Sequence, residues 1–552
     1  MTRTGLRLTG AATRLREGLA AWVAVLAIAT LAAGAFLPLG VLAFRQAETG
    51  LEELLADPVV WRSLRFTLLQ AGLSTLFSVI LAIPVATALH EFRAFPGRRL
   101  ILSLFSLPLA LPQIVAVLAI VGIYGERGVV VAALQSVGID FPSVYGLTGI
   151  LLAHVFFNMP LAVRIVLGGL TGMPAEYDRL SHQLSMGFAA RYRLVYWPFM
   201  RPAAMSAASL IFMLCVTSFT VVLTLGGGPR ATTLEVAIYQ ALTFDFDVGR
   251  VVMLSLLQVG VTVLAFGLLL RAGGEVSAGV TLGDAAAFPT RRTLFGRLCG
   301  ALIIALGTIF VLSPFAMIVW RGLAADLLRL AGQQSVRDAI ATSLTLGFCA
   351  AVISVALSFA LASGIAVRAA RRGFTGAPGN LERLFGQASS LILVVPPVVI
   401  AGGWFILIRL VASPYVAAPI MVVVVNAAMA VPFAIRFMLP AVLNSAERYG
   451  RLCGSLDLRG WARFRFVTWP TVRGSMLLGF AFSLALSLGD LGVIAIFGSQ
   501  DVQTLPYLIL QRMGSYRTDD AAGLALILCL LTMALIVVAD RGGRKIRTNT
   551  ND

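Results

Sequence analysis

The sequence predicts an all-α membrane protein of about 12 transmembrane helices, built as two parallel six-helix repeats. Three observations carry this. The 552-residue chain is 59% hydrophobic and only 12% charged, with a mean hydropathy of +0.90, more apolar surface than a water-soluble fold can hide. A polar, arginine-rich segment, YDRLSHQLSMGFAARYRLVYWP (177–198), returns as YGRLCGSLDLRGWARFRFVTWP (449–470), 272 residues later. Basic residues, finally, are distributed by side: with the amino terminus taken as cytoplasmic, inner loops and tails hold 29 of the 43 Lys and Arg residues.

Apolar runs long enough to cross a bilayer fall, in order, at 20–44, 62–89, 101–124, 145–168, 203–225 and 249–270, then at 297–320, 339–367, 385–409, 415–439, 474–497 and 521–539. The first run is too long for a signal peptide and reads as a retained helix. The second six repeat the first in order. Ser63-Leu64 matches Ser343-Leu344, HVFFNMPLAVR (154–164) matches NAAMAVPFAIR (426–436), and Thr233-Leu234 through Gln240 matches Thr504-Leu505 through Gln511. Six spans per half give both copies one orientation. This divides the chain into a first half (1–275), a polar connector (276–296) and a second half (297–552), with both termini inside. Pro160 and Pro432 occupy matched places within spans, where a missing N–H invites a hinge or a tolerated kink.

The net charge of +17 therefore reports orientation and does not imply nucleic acid as a partner. Five cysteines are scattered without paired spacing and read as packing residues. His90, His154 and His182 lie far apart, so no metal site is expected. A P-loop needs G-x-x-x-x-G-K-[ST], and the sole lysine, Lys545 in RGGRKIRT, does not fit it. The chain is expected to be no enzyme and to hold no cofactor.

The repeated segment falls between the fourth and fifth spans of each half, inside the inner loops 171–201 and 441–473. Leu180 and Leu184, like Leu452 and Leu456, sit four apart and would share one face of a short helix. Tyr177 with Arg179, and Tyr449 with Arg451, open the two copies, and nine of the twenty positions in 179–198 and 451–470 are identical. A single loop of this kind would serve as an interfacial anchor on lipid headgroups. Two matched loops point to a two-fold soluble partner that receives a helix in a groove.

In position, these loops resemble the cytoplasmic coupling loops of ATP-binding-cassette (ABC) importer permeases, which open Glu-Ala-Ala and carry a glycine. Counting back from Pro198 and Pro470 puts Ser185 and Asp457 at the glycine, with Arg179-Leu180-Ser181 and Arg451-Leu452-Cys453 at Glu-Ala-Ala. Both copies depart from that consensus at its best-known residues. The stretches LTGILLAHVFFNMPLAVRIVL, SLIFMLCVTSFTVVLTLGGGPRATTLEVAIYQAL and SLGDLGVIAIFGSQDVQTLPYLILQRMGSYRTDDAA resemble the fused permeases of bacterial thiamine importers over nearly the whole chain after the first span. The resemblance implies a type I importer permease in the inner membrane. It also implies a homodimeric ATPase that binds ATP and Mg and docks on both loops, and a periplasmic protein that delivers thiamine or its phosphates.

Within the spans the clearest acid is Asp490 in SLGDLGV, whose 272-residue counterpart is Ser218. A carboxylate on the solute path would suit a permanently cationic ring, and an internal hydrogen bond beside Gly489 and Gly492 is the alternative. A fused ferric-ion permease would share the architecture. A secondary transporter fits less well, because the loop between its second and third spans would carry a Gly-x-x-x-Asp-Arg-type motif, and HEFRAFPGRR does not.

Overall fold

The computed structural model describes residues 56–548 apart from 93–94, 141, 272–293, 376–377, 393–394, 459 and 500–501; before residue 56 it describes 19, 21–30, 32–33, 36 and 40. Most of the expected connector lies outside the described residues. Among these, 10 helices are long and apolar enough to span a bilayer: α1 Pro58–Glu91, α2 Gln113–Gln135 (interrupted after Tyr124), α3 Leu147–Thr171, α4 Phe188–Val216, α5 Val248–Leu268, α6 Leu294–Ala324, α7 Gln334–Arg371, α8 Ala418–Ser455, α9 Gly460–Gly489 and α10 Thr518–Leu535. Two shorter apolar helices, Ala21–Thr30 and Pro397–Arg409, complete the set. The chain is an all-α, multi-span membrane protein.

Four of the twelve expected spans are broken. The run 101–124 becomes a helix Arg98–Leu104, a turn Leu107–Ala110 and a new start at Gln113. The run 385–409 likewise restarts at Pro397. Pro108 and Pro112, and Pro396 with Pro397, explain both breaks, since proline lacks the N–H that would continue a helix. The runs 203–225 and 474–497 break after Val216 and after Gly489, and each resumes as a short helix, Thr220–Leu225 and Gly492–Phe497. No proline marks those breaks. Pro160 and Pro432, by contrast, lie buried in helices that run on through them.

The same three helices pack together twice: α1, α3 and α4 contact one another, as do α7, α8 and α9. The helix that precedes each set reaches across to the other set, although α6 also packs on α10. Helix Ala21–Thr30 buries Ala21, Ala24 and Ile28 against Leu361, Ala362 and Val431 of α7 and α8, and Trp22 meets Phe385 edge-on at 5.5 Å. Reciprocally, α6 lies on α1 and α2. Small residues permit both approaches: a Cβ on Gly364 would stand 2.4 Å from the Ala21 Cβ, and one on Gly300 would stand 2.0 Å from the Phe92 ring.

A charge-exchanged pair fastens the start of the last helix in each set. Arg250, the third residue of α5, bridges Asp57 at 3.1 Å, Asp245 at 3.1 Å and Asp247 at 3.8 Å. Asp520, the third residue of α10, pairs with Arg329 and with Arg512, the latter at 3.6 Å. Asp57 caps the first turn of α1, whereas Arg329 precedes α7. Acid and base have changed places between the sets.

Candidate functional site

The first inner loop folds as a separate helix, Ala175–Gln183, after α3 stops at Thr171. Gly172 and Pro174 interrupt the turn there. In the second loop α8 continues without a break as far as Ser455, because the matching residues, Asn444 and Ala446, tolerate a helix. Beyond this difference the two copies end alike. Ser185 (φ 49°) and Asp457 (φ 52°) both adopt the left-handed conformation. Met186 N donates to Ser181 O at 3.0 Å, and Leu458 N donates to Cys453 O at 2.9 Å. Each is the six-to-one hydrogen bond of a Schellman cap, whose left-handed position ordinarily holds glycine. These are the two positions that the sequence comparison aligned with the family glycine. The backbone keeps glycine's conformation although neither residue is glycine.

The cap fixes where the leucines point. Leu180 and Leu184 are 53% and 64% exposed, Leu452 and Leu456 53% and 60%. Arg179 and Arg451 are exposed beside them. Tyr177 packs edge-on against Phe199 at 5.6 Å, whereas Tyr449 lies under the Arg448 guanidinium at 5.6 Å. Two equivalent pairs of apolar side chains thus protrude from the ends of equivalent helices, a surface shape suited to a groove on a partner.

The second constellation sits where α4 and α9 break. A break frees backbone groups, and each one left unpaired at depth costs about 1–3 kcal/mol. In the first set neighbouring helices supply donors. Gln70 Nε2 donates to Cys215 O at 2.8 Å, and Gln258 Nε2 donates to Val216 O at 3.2 Å while lying 3.3 Å from Glu235 Oε1. His154 spans Ser74 Oγ (Nδ1, 2.9 Å) and Ser218 Oγ (Nε2, 2.8 Å). In the second set the broken segment caps itself: the Asp490 carboxylate accepts from Gly492 N at 3.2 Å and Val493 N at 3.3 Å. Asn426, the counterpart of His154, donates to Ser487 Oγ at 3.0 Å. Asp490 therefore has the internal hydrogen bonds considered for it, yet it remains partly exposed.

The two breaks face each other. A Cβ on Gly492 would lie 3.6 Å from Asp490 Oδ1 and 3.8 Å from both Phe219 and Val398. One on Gly489 would lie 3.3 Å from Pro112 Cα. Two broken helices and two proline breaks converge there, from both sets. Sequence reasoning missed His154, Gln70 and Gln258 as holders of the break. The offset that pairs His154 with Asn426 also pairs Ser218 with Asp490, and reading the two pairs jointly exposes the first contact. Gln70 and Gln258 carry no such signal. No group of three His, Cys, Asp or Glu side chains suited to a metal occurs among the described residues.

No family model matches the chain. Among curated proteins, the thiamine transport system permease protein ThiP of Brucella abortus (strain 2308) is 49% identical over 98% of both chains. ThiP of Escherichia coli (strain K12) is 39% identical over 89% of this chain and 91% of its own. ThiP of Haemophilus influenzae is 34% identical over 87% and 89%. Likeness of that level over nearly full length, with the helices and paired loops just described, decides the family. The chain belongs to the thiamine transport system permease proteins.

Proposed function

We propose that the chain is the membrane permease of an ABC importer and moves thiamine, or its phosphates, from a periplasmic binding protein to the cytoplasm. ATP is bound and hydrolysed by a separate homodimeric subunit. Residues 1–275 and 297–552 act as the two permease halves that are elsewhere two chains. The loops lie on the cytoplasmic side of the inner membrane, as do both termini. The observation that carries this reading is the pair of exposed two-leucine helix ends, each closed by the same cap at Ser185 and Asp457. The same cap and leucine pair presented twice suits one protein bound twice.

Thiamine carries a fixed positive charge that no deprotonation removes, so its path must replace water with dipoles or a carboxylate. Asp490, partly exposed where the two broken helices meet, is the group placed to do this, and the matched prolines Pro160 and Pro432 are the candidate hinges. The test is reconstitution in proteoliposomes with the ATPase and the binding protein, following labelled thiamine and ATP together. Uptake that requires both partners is expected. Uptake of ferric ion in place of thiamine would overturn the solute and leave the architecture standing.

A further inference from the structure

The two inner helices are joined to the membrane bundle in different ways. In the second half, α8 runs unbroken from Ala418 to Ser455, so the segment bearing Leu452 continues the span itself. Below Pro432 and Pro440 the helix carries on without a joint, so Leu452 moves with the end of the span. In the first half, Ala175–Gln183 is detached from α3 at Gly172–Pro174. A detached helix transmits motion only through side-chain contacts.

Those contacts are present. Tyr196, buried at the base of α4, donates its hydroxyl to Asp178 Oδ1 on the detached helix at 3.3 Å. Its ring meets the buried His90 edge-on at 5.4 Å and lies 5.5 Å beneath the Arg191 guanidinium. Arg191 in turn bridges Glu91, the last residue of α1, at 2.7 Å, with both side chains about nine-tenths buried. A continuous chain of contacts thus runs from the loop helix through Tyr196 into α1. Tyr177 on Phe199 adds a second point of attachment.

Of the groups in that chain of contacts the second half keeps only the counterpart of Arg191. The positions of Asp178 and Tyr196 are held by Gly450 and Thr468. The last two residues of α7 are Ala370 and Arg371, where α1 ends in His90 and Glu91. Gly450 has no side chain to accept a hydrogen bond, and Arg371 cannot pair with Arg463, the counterpart of Arg191. The half with the hinge carries the pin, and the half with the rod lacks it.

We propose that Tyr196 is a positioning residue that pins the first loop helix to α1 and α4 and so transmits ATPase motion, a task that helix continuity performs in the second half. This rests on the coupling role proposed above. The test uses the full chain with ATPase and binding protein in proteoliposomes, scoring thiamine moved per ATP hydrolysed. Tyr196→Phe removes one hydroxyl and keeps the ring. It is expected to lower that ratio about fivefold, the shift that loss of one net hydrogen bond supports, while the ATPase still co-purifies. Asp178→Ala should match it, and Asp178→Asn, which keeps an acceptor oxygen, should restore most of the ratio. Thr468→Val should leave the ratio unchanged, and Ala446→Gly, which weakens the rod, should lower it. A wild-type ratio in both Tyr196→Phe and Asp178→Ala overturns the pin. Failure of the wild-type complex to move thiamine strikes the proposed function instead. In that case the mobility of a spin label on the first loop helix still decides the pin, and equal mobility with and without the Tyr196 hydroxyl refutes it.

Discussion

Replacing Leu180 and Leu184 together by Asp is the sharpest perturbation of the proposed docking surface. Burying a whole leucine side chain is worth about 1.5–3 kcal/mol. With 53% and 64% of these residues exposed in the isolated chain, burial in a groove would gain roughly 1–2 kcal/mol each, or about 2–4 kcal/mol for the pair. At about 1.4 kcal/mol per tenfold, that corresponds to roughly a 30- to 700-fold weaker site. Two new carboxylates can only add to the loss, because a groove that accepts leucine would have to desolvate them. The matching exposures of Leu452 and Leu456, 53% and 60%, give the same expectation for the second loop. The assay is the dissociation constant of the purified ATPase for detergent-solubilised permease, measured for each double variant and for all four substitutions together. Each double variant should leave one competent site and weakened binding, and the fourfold variant should abolish it. If the fourfold variant binds and couples like the wild type, the leucines lie on lipid headgroups and the two-fold docking argument fails.

Three further outcomes follow from the geometry. Ser185→Gly and Asp457→Gly relieve a left-handed conformation that L-residues resist by roughly 1 kcal/mol; each should hold or raise Tm, and a fall of several degrees would show that the side chain stabilises the cap. Asp520→Ala should lower the thermal unfolding temperature, because Asp520 is the carboxylate that Arg329 and Arg512 share at the start of α10; an unchanged Tm would refute its role as a fastening. Asp490→Asn keeps one of the two oxygens that accept from Gly492 N and Val493 N while removing the charge, so thiamine uptake should slow moderately with ATPase docking intact, and unchanged uptake would leave Asp490 a helix cap alone.

What could be read from the sequence divides along a physical line. Burial in lipid is written in composition, so the helices and their order followed from hydropathy. Proline is a covalent break, and the restarts at Gln113 and Pro397 are visible once Pro112 and Pro396 are taken at face value. The breaks after Val216 and Gly489 are not, because low-propensity residues such as Thr217, Ser218, Gly489 and Gly492 are tolerated within spans and do not by themselves stop a helix. The break after Val216 is held by distant side chains, Gln70 145 residues from Cys215 and Gln258 42 from Val216, whereas Asp490 caps the break after Gly489 from within the segment. The exchange of first helices was equally hidden. It depends on which small residue faces which neighbour, Gly364 on Ala21 and Gly300 on Phe92, and hydropathy carries no such information. The paired loops were the reverse case: repetition located them, and the family's loop pattern, counted back from Pro198 and Pro470, marked Ser185 and Asp457, the two residues that prove left-handed.

The pattern of divergence between the halves has its own logic. Identity persists where both halves would meet copies of one partner, in the loops, and disappears where the halves meet each other. A permease assembled from two identical chains must place the same residue on both sides of its axis. An acid at the position of Asp490 would then oppose a second acid across the glycine contacts that join the two breaks, and neighbouring carboxylates do not both stay ionised at short range. A fused chain is free of that constraint. Here Asn426 and Asp490 occupy the positions that His154 and Ser218 hold in the other half. Asp490 thus stands at one break where the other has the hydroxyl of Ser218. Asp57 with Arg250 and Arg329 with Asp520 follow the same rule. Exchange of helices between the halves at that face would set Arg250 against Arg329 and Asp57 against Asp520, so charge reversal favours the correct packing of two otherwise similar bundles. On the proposed reading, fusion permits what symmetry forbids: a carboxylate at one break where the other has a hydroxyl, and two halves that distinguish their own helices from each other's.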